Sequence, residues 1–162
     1  MRRVYGNPDV SFLECVNPKR NKWRVRWDVQ EDEEGVNYME TEFNHKPSLD
    51  EIKQTILGWH NNQVEEKILS GFTYEDNQVW LNTANQFNYK SAYDLAVQKA
   101  DSSLPVTFKF GTDEQPKYYE FKTVEKLTDF YLKFTLHIRN VQSEGWKKKD
   151  GFDESLYLEK QQ

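Results

Sequence analysis

Two stretches constrain the fold more than any other part of the chain: KWRVRWDVQ (residues 22–30) and VNYMETEF (residues 36–43). In the first, Trp23, Val25, Trp27 and Val29 alternate with Arg24, Arg26 and Asp28. A period of two puts rings and aliphatics on one face of a strand and charges on the other. Suppose the stretches pair antiparallel with Trp27 opposite Met39. Trp23 then faces Phe43, Val25 faces Thr41, Arg26 meets Glu40 and Arg24 meets Glu42. One register satisfies both faces at once, each pair contributing about 0.2–1 kcal/mol. The acidic run Glu31–Glu34 becomes a solvated loop ending at Gly35, and Val10–Leu13 is expected as an additional strand.

Helices and further hairpins follow. Ser48 and Glu51 have capping-box spacing after Pro47. Ile52, Ile56, Trp59, Gln63 or Val64, and Lys67 or Ile68 then recur at helical spacing, with a left-handed stop expected at Gly71. Phe72–Tyr74 and Gln78–Leu81 read as short strands around an Asp76-Asn77 turn. Asn82 or Thr83 caps a second helix containing Phe87, Ala92, Leu95 and Ala96. Leu104-Pro105 breaks it; Val106–Phe110 and Lys117–Phe121 form a hairpin across Gly111–Pro116. Thr123 caps a long helix striped by Val124, Leu127, Phe130 or Tyr131, Phe134, Ile138 and Val141, with a stop expected at Gly145. The tail from Trp146 onward reads as polar and partly mobile. Strands arriving as hairpins between three helices, the last one long, predict an α+β fold with antiparallel pairing. The expected boundary separates an N-terminal hairpin region, residues 1–46, from an α+β domain, residues 47–162.

Aromatic residues make up 15% of the 162, enough to build a core despite 30% charged residues. The net charge of −5 gives no overall pull toward nucleic acid or anionic membrane. The single cysteine, Cys15, rules out an internal disulfide framework and fits a reducing compartment. No run of 18 or more apolar residues is present, so no membrane span is expected. The basic start MRRVYGNPDV lacks the apolar segment of a signal peptide.

The stretch VWLNTANQFNYKSAYDLA (residues 79–96) carries four rings and a cluster of amides. Sugars and bases are both held by such mixtures. Strand-to-helix junctions need the same amides for caps, and that reading is preferred, with Phe87 expected to bury one turn into the helix. It leaves Asn85, Asn88, Tyr89 and Tyr93 as candidates for an exposed binding contact. Trp23 and Trp27 with Arg24 and Arg26 would suit single-stranded nucleic acid, but strand alternation puts rings and guanidiniums on opposite faces. The basic runs Pro18–Lys22 and Trp146–Lys149 could contact phosphate, but in a net acidic chain they read as a solvated turn and a helix end. His45, His60, His137 and Cys15 share no metal-ligand spacing, so no metal and no cofactor is expected. No phosphate loop, nucleophile elbow or helical HExxH occurs, so no catalytic residue is assigned. Leu132 and Leu136 fall outside the core stripe of the last helix and need a second partner, either intramolecular packing or a dimer.

The runs GFTYEDNQVWLNTANQFNYKSAYDLAVQKA, LPVTFKFGTDEQPKYYEF and GWKKKDGFD carry a resemblance. Over residues 48–152 the chain resembles a family of uncharacterised phage and prophage proteins from gut anaerobes. It is also distantly similar to the C-terminal domain of tail-fibre and tail-assembly-associated phage proteins. The resemblance implies no enzyme activity and no carried-over site residues. It implies a phage-encoded interaction or structural role, with a tail component or a second copy of the chain as partner. The expected location is the cytoplasm of a bacterial host, or the virion. The other reading is a nucleic-acid or carbohydrate-binding module using the tyrosine–amide surface.

Overall fold

A computed structural model of the chain describes residues 1–158. The fold is α+β: α1 (Leu49–Ser70), α2 (Thr83–Ser103) and α3 (Val124–Asp150) alternate with antiparallel strands, and α3 is the longest helix. The strands are β1 (Arg2–Tyr5), β2 (Leu13–Asn17), β3 (Lys22–Asp32), β4 (Gly35–Phe43), β5 (Phe72–Tyr74), β6 (Asn77–Val79), β7 (Val106–Gly111) and β8 (Pro116–Phe121). Two compact units are present. One is Met1–Trp59 with the described residues from Lys149 to Leu158; the other is His60–Lys148. The divisions fall inside α1 and α3, not between residues 46 and 47. The physical reason lies in the first unit: the apolar face of its sheet needs the first half of α1 as cover.

In that unit β3 and β4 pair in the expected register, with Trp27 opposite Met39, Val25 opposite Thr41, Trp23 opposite Phe43, Arg26 opposite Glu40 and Arg24 opposite Glu42. Edge strands complete a sheet of order β1-β4-β3-β2. β1 went unread because RRVY is short and polar, and the extra strand begins at Leu13 instead of running from Val10. The alternation ends at Trp27. Asp28 and Val29 together oppose Tyr38 in a bulge, with Asp28 at φ 51°, so Val29 is exposed rather than aligned with the tryptophans. Val25, Trp27 and Met39 pack with Ile52 and Ile56 of α1 and with Tyr157. Ser48 donates its backbone N–H to Glu51 Oε2 at 2.8 Å, and the Glu51 N–H returns to Ser48 Oγ at 3.2 Å, completing the capping box. The tail is not loose over its described part. A 3-10 turn, Glu154–Tyr157, buries the Tyr157 ring, whose hydroxyl donates to the Arg26 carbonyl at 2.9 Å. Residues 159–162 of that stretch lie outside the described residues.

The second unit is organised around Phe130. Its ring lies 5.0 Å from Tyr74, 5.1 Å from Tyr89, 5.1 Å from Phe121 and 5.5 Å from Phe110, so α2, α3 and both hairpins meet at one residue. The β5–β6 turn is centred on Glu75 and Asp76, both at positive φ, one position before the expected Asp76-Asn77. Gly71 ends α1 without a left-handed backbone. A Cβ there would lie 2.4 Å from the Lys67 carbonyl oxygen, so closeness, not handedness, selects glycine. Gly145 does not stop α3. It is buried mid-helix, where a Cβ would meet Val64 Cγ2 at 2.3 Å, and α3 runs on to Asp150. Among the described residues no helix is long and apolar enough to cross a membrane.

Candidate interaction surface

The amide-rich stretch of residues 79–96 folds as a strand-to-helix junction whose polar groups largely serve the backbone. Asn82 is the N-cap and accepts from the Asn85 N–H at 2.8 Å. The Asn85 side chain donates to the Trp80 carbonyl at 2.9 Å, and Gln86 donates to the Leu81 carbonyl. Trp80 Nε1 donates to the Gly111 carbonyl at 2.8 Å. Tyr89 is only 3% exposed and its ring is 4.7 Å from Phe108. Tyr93 stacks on Tyr131 of α3 at 4.4 Å with an interplanar angle of 6°. The four residues therefore do not form one exposed platform. Asn85 is committed to the junction, Tyr89 to the core and Tyr93 to α3. Asn88 alone of the four is exposed with no side-chain hydrogen bond among the described residues.

Phe87, expected to bury one turn into α2, is 70% exposed, and Leu95 is 52% exposed. The helix has two stripes, and Tyr89, Tyr93 and Ala96 win the core because two large rings bury more area than Phe87 and Leu95 would. Phe87 and Leu95 thus lie on one outward line of α2, two turns apart with Ser91 between them and Asn88 beside. The available signal was the conflict itself: Phe87 and Tyr89 cannot share one face of a helix. On α3, Leu132 and Leu136 are 54% and 43% exposed, so among the described residues neither is fully covered.

Ionisable groups in the second unit cluster beside the β5–β6 turn. Glu75 accepts from Lys126 and from the Tyr119 hydroxyl, and the Tyr74 hydroxyl donates to Asp129 at 2.9 Å. Lys133 donates to the same Asp129 oxygen at 2.8 Å. The Lys126 hydrogen bond holds Glu75 below the usual carboxylate range, and Lys133, then Tyr74, do the same for Asp129. Burial first, then Asp129, pushes Tyr74 up; the Glu75 hydrogen bond pushes Lys126 up. These shifts keep Glu75 and Asp129 as carboxylates, Lys126 as an ammonium and Tyr74 as a neutral phenol around neutral pH.

The sheet arginines of the first unit are likewise engaged internally. Glu40, buried, lies 2.8 Å from Arg2, 3.3 Å from Arg24 and 3.4 Å from Arg26. Arg26 also reaches Glu14 at 2.8 Å and the Ser11 carbonyl at 2.8 Å. Three arginines and the three carboxylates Glu14, Glu40 and Glu42 balance on this face, while Trp27 is buried on the other. Phosphate contact would require breaking these pairs. Among the described residues no three His, Cys, Asp or Glu side chains converge as a metal site requires. No family model, curated protein or solved structure matches the chain.

Proposed function

We propose that the chain is a non-enzymatic interaction or structural protein that acts by protein–protein contact. Following its resemblance, we place it among phage-encoded proteins associated with tail assembly. The observation that carries this reading is the pair of outward apolar strips, Phe87 with Leu95 on α2 and Leu132 with Leu136 on α3, left over after the core is filled. The ionisable groups of the Tyr74–Asp129 cluster are paired with one another, and their hydrogen bonds hold Glu75 and Asp129 below the usual carboxylate range and Lys126 above the usual amine range. The carbohydrate or nucleic-acid reading would have to work from Asn88 and the edge of Tyr93 alone.

The test is capture from lysate of the native host during virion assembly. Tagged wild type is compared with Phe87→Glu/Leu95→Glu and Leu132→Glu/Leu136→Glu. A defined structural protein should co-purify with the wild type and be lost with one of the double variants, each first checked for native circular dichroism. Equal recovery by all three proteins, or nothing above background, would refute contact through these strips.

A further inference from the structure

This inference rests on the reading of α3 as a contact surface and names what covers it. We propose that a second copy of the chain docks antiparallel on the outward face of α3. Glu125, Asp129, Leu132, Leu136, Arg139 and Ser143 follow one another at intervals of four, three, four, three and four residues. That is the spacing of a helix-pairing seam. It lies opposite the stripe of Leu127, Phe130, Phe134 and Val141, which is buried in the core, and leaves Leu132, Leu136 and Arg139 facing outward.

The order of residues along the seam identifies the occupant. Acidic residues come first, two leucines occupy the middle, and an arginine follows. A two-fold axis midway between Leu132 and Leu136 sets Leu132 of each copy against Leu136 of the other. The same axis sets Asp129 opposite Arg139 twice and Glu125 opposite Ser143 twice. A parallel pair would instead oppose Asp129 to Asp129 and Arg139 to Arg139, and like charges facing each other disfavour it. Both charged groups have capacity to spare. Arg139 is exposed and makes no ion pair among the described residues. Asp129 receives Tyr74 and Lys133 on Oδ2, leaving Oδ1 without a hydrogen bond among the described residues. An unrelated partner helix has no reason to repeat this pattern in reverse; a second copy does so by symmetry. Two leucines per copy make a small contact, so the association is weak and concentration-dependent.

Sedimentation velocity on the full chain at low salt, from about 10 μM to about 1 mM, tests the pairing. The weight-average mass should rise with concentration. Arg139→Asp and Asp129→Arg should each weaken association roughly tenfold, and the two changes combined in one chain should restore it. Orientation is read separately in a Cys15→Ser background. A mixture of Leu132→Cys and Leu136→Cys proteins should cross-link faster than either protein alone. Faster cross-linking of Leu132→Cys to itself would overturn the antiparallel arrangement, and charge reversals without effect would overturn the charge pairing. A wild type monomeric at every concentration that still captures a host or virion protein through α3 would remove the second copy and leave the contact reading standing.

Discussion

Tyr89 decides more than any neighbour in its helix. Its ring lies within 5.1 Å of both Phe108 and Phe130, measured between ring centres, and it is buried. Removing it leaves a void at the point where α2, β7 and α3 meet. Tyr89→Ala should lower unfolding free energy by ~3–5 kcal/mol in urea denaturation, whereas Tyr89→Phe, which keeps the ring, should cost less than about 1.5 kcal/mol. The same burial pushes the phenol up to about 12 from an ordinary value of about 10. A group raised on folding contributes stability in full below its unfolded pKa and loses it as pH rises through the folded value. Tyr89's contribution is therefore complete below about pH 10 and gone above about pH 12. Alkaline unfolding followed by circular dichroism and phenolate absorbance should begin at higher pH in Tyr89→Phe. An unchanged onset would show that Tyr89 does not govern that transition.

Two glycines inside helices look alike in sequence and differ in structure. A Cβ at Gly58 of α1 meets nothing within 4 Å, while one at Gly145 of α3 would lie 2.3 Å from Val64 Cγ2. Val64 is β-branched and short, so it has little freedom to move aside. Gly58→Ala should raise stability by about 1 kcal/mol through backbone propensity, and Gly145→Ala should lower it by ~1–3 kcal/mol through overpacking. Thermal and urea unfolding of both variants checks the contrast; equal effects would mean that α1 and α3 do not approach as closely as described. Element identities were legible wherever local chemistry decides them. The capping box at Ser48–Glu51 and the β3–β4 register are both set by neighbours in sequence or directly across one ladder. The Gly145 stop and the burial of Phe87 were misread for a common reason. Each depends on what another element brings to the helix, and periodicity carries no information about that.

At the scale of the two compact units, most rings pack into a core, and the exposed apolar residues include Phe87 and Leu95 on α2 and Leu132 and Leu136 on α3. If the α3 pair serves contacts outside the chain, charging it should leave the fold intact. Leu132→Glu and Leu136→Glu should each change unfolding free energy by less than about 0.5 kcal/mol at dilute concentration, while Phe130→Ala costs ~3–5 kcal/mol. Urea titration at low micromolar protein makes the comparison, and a loss comparable to Phe130→Ala would assign the leucines to the core. The exposure of Leu132 and Leu136 was legible because the α3 stripe was already complete without them. The burial of Tyr89 was not, since an aromatic on a helix is equally compatible with core and surface until the facing strands are placed.

By itself the sequence determined the hairpins, the helices, their order and the α+β class. These follow from period, caps and cross-strand charge, all of which act over a few residues or one strand pair. The tertiary structure alone decided which of the two stripes of α2 turned inward, where the chain divides into compact units, and that the tail returns to the sheet through Tyr157. Those outcomes come from competition for buried area among segments distant in sequence, and no local pattern records who wins.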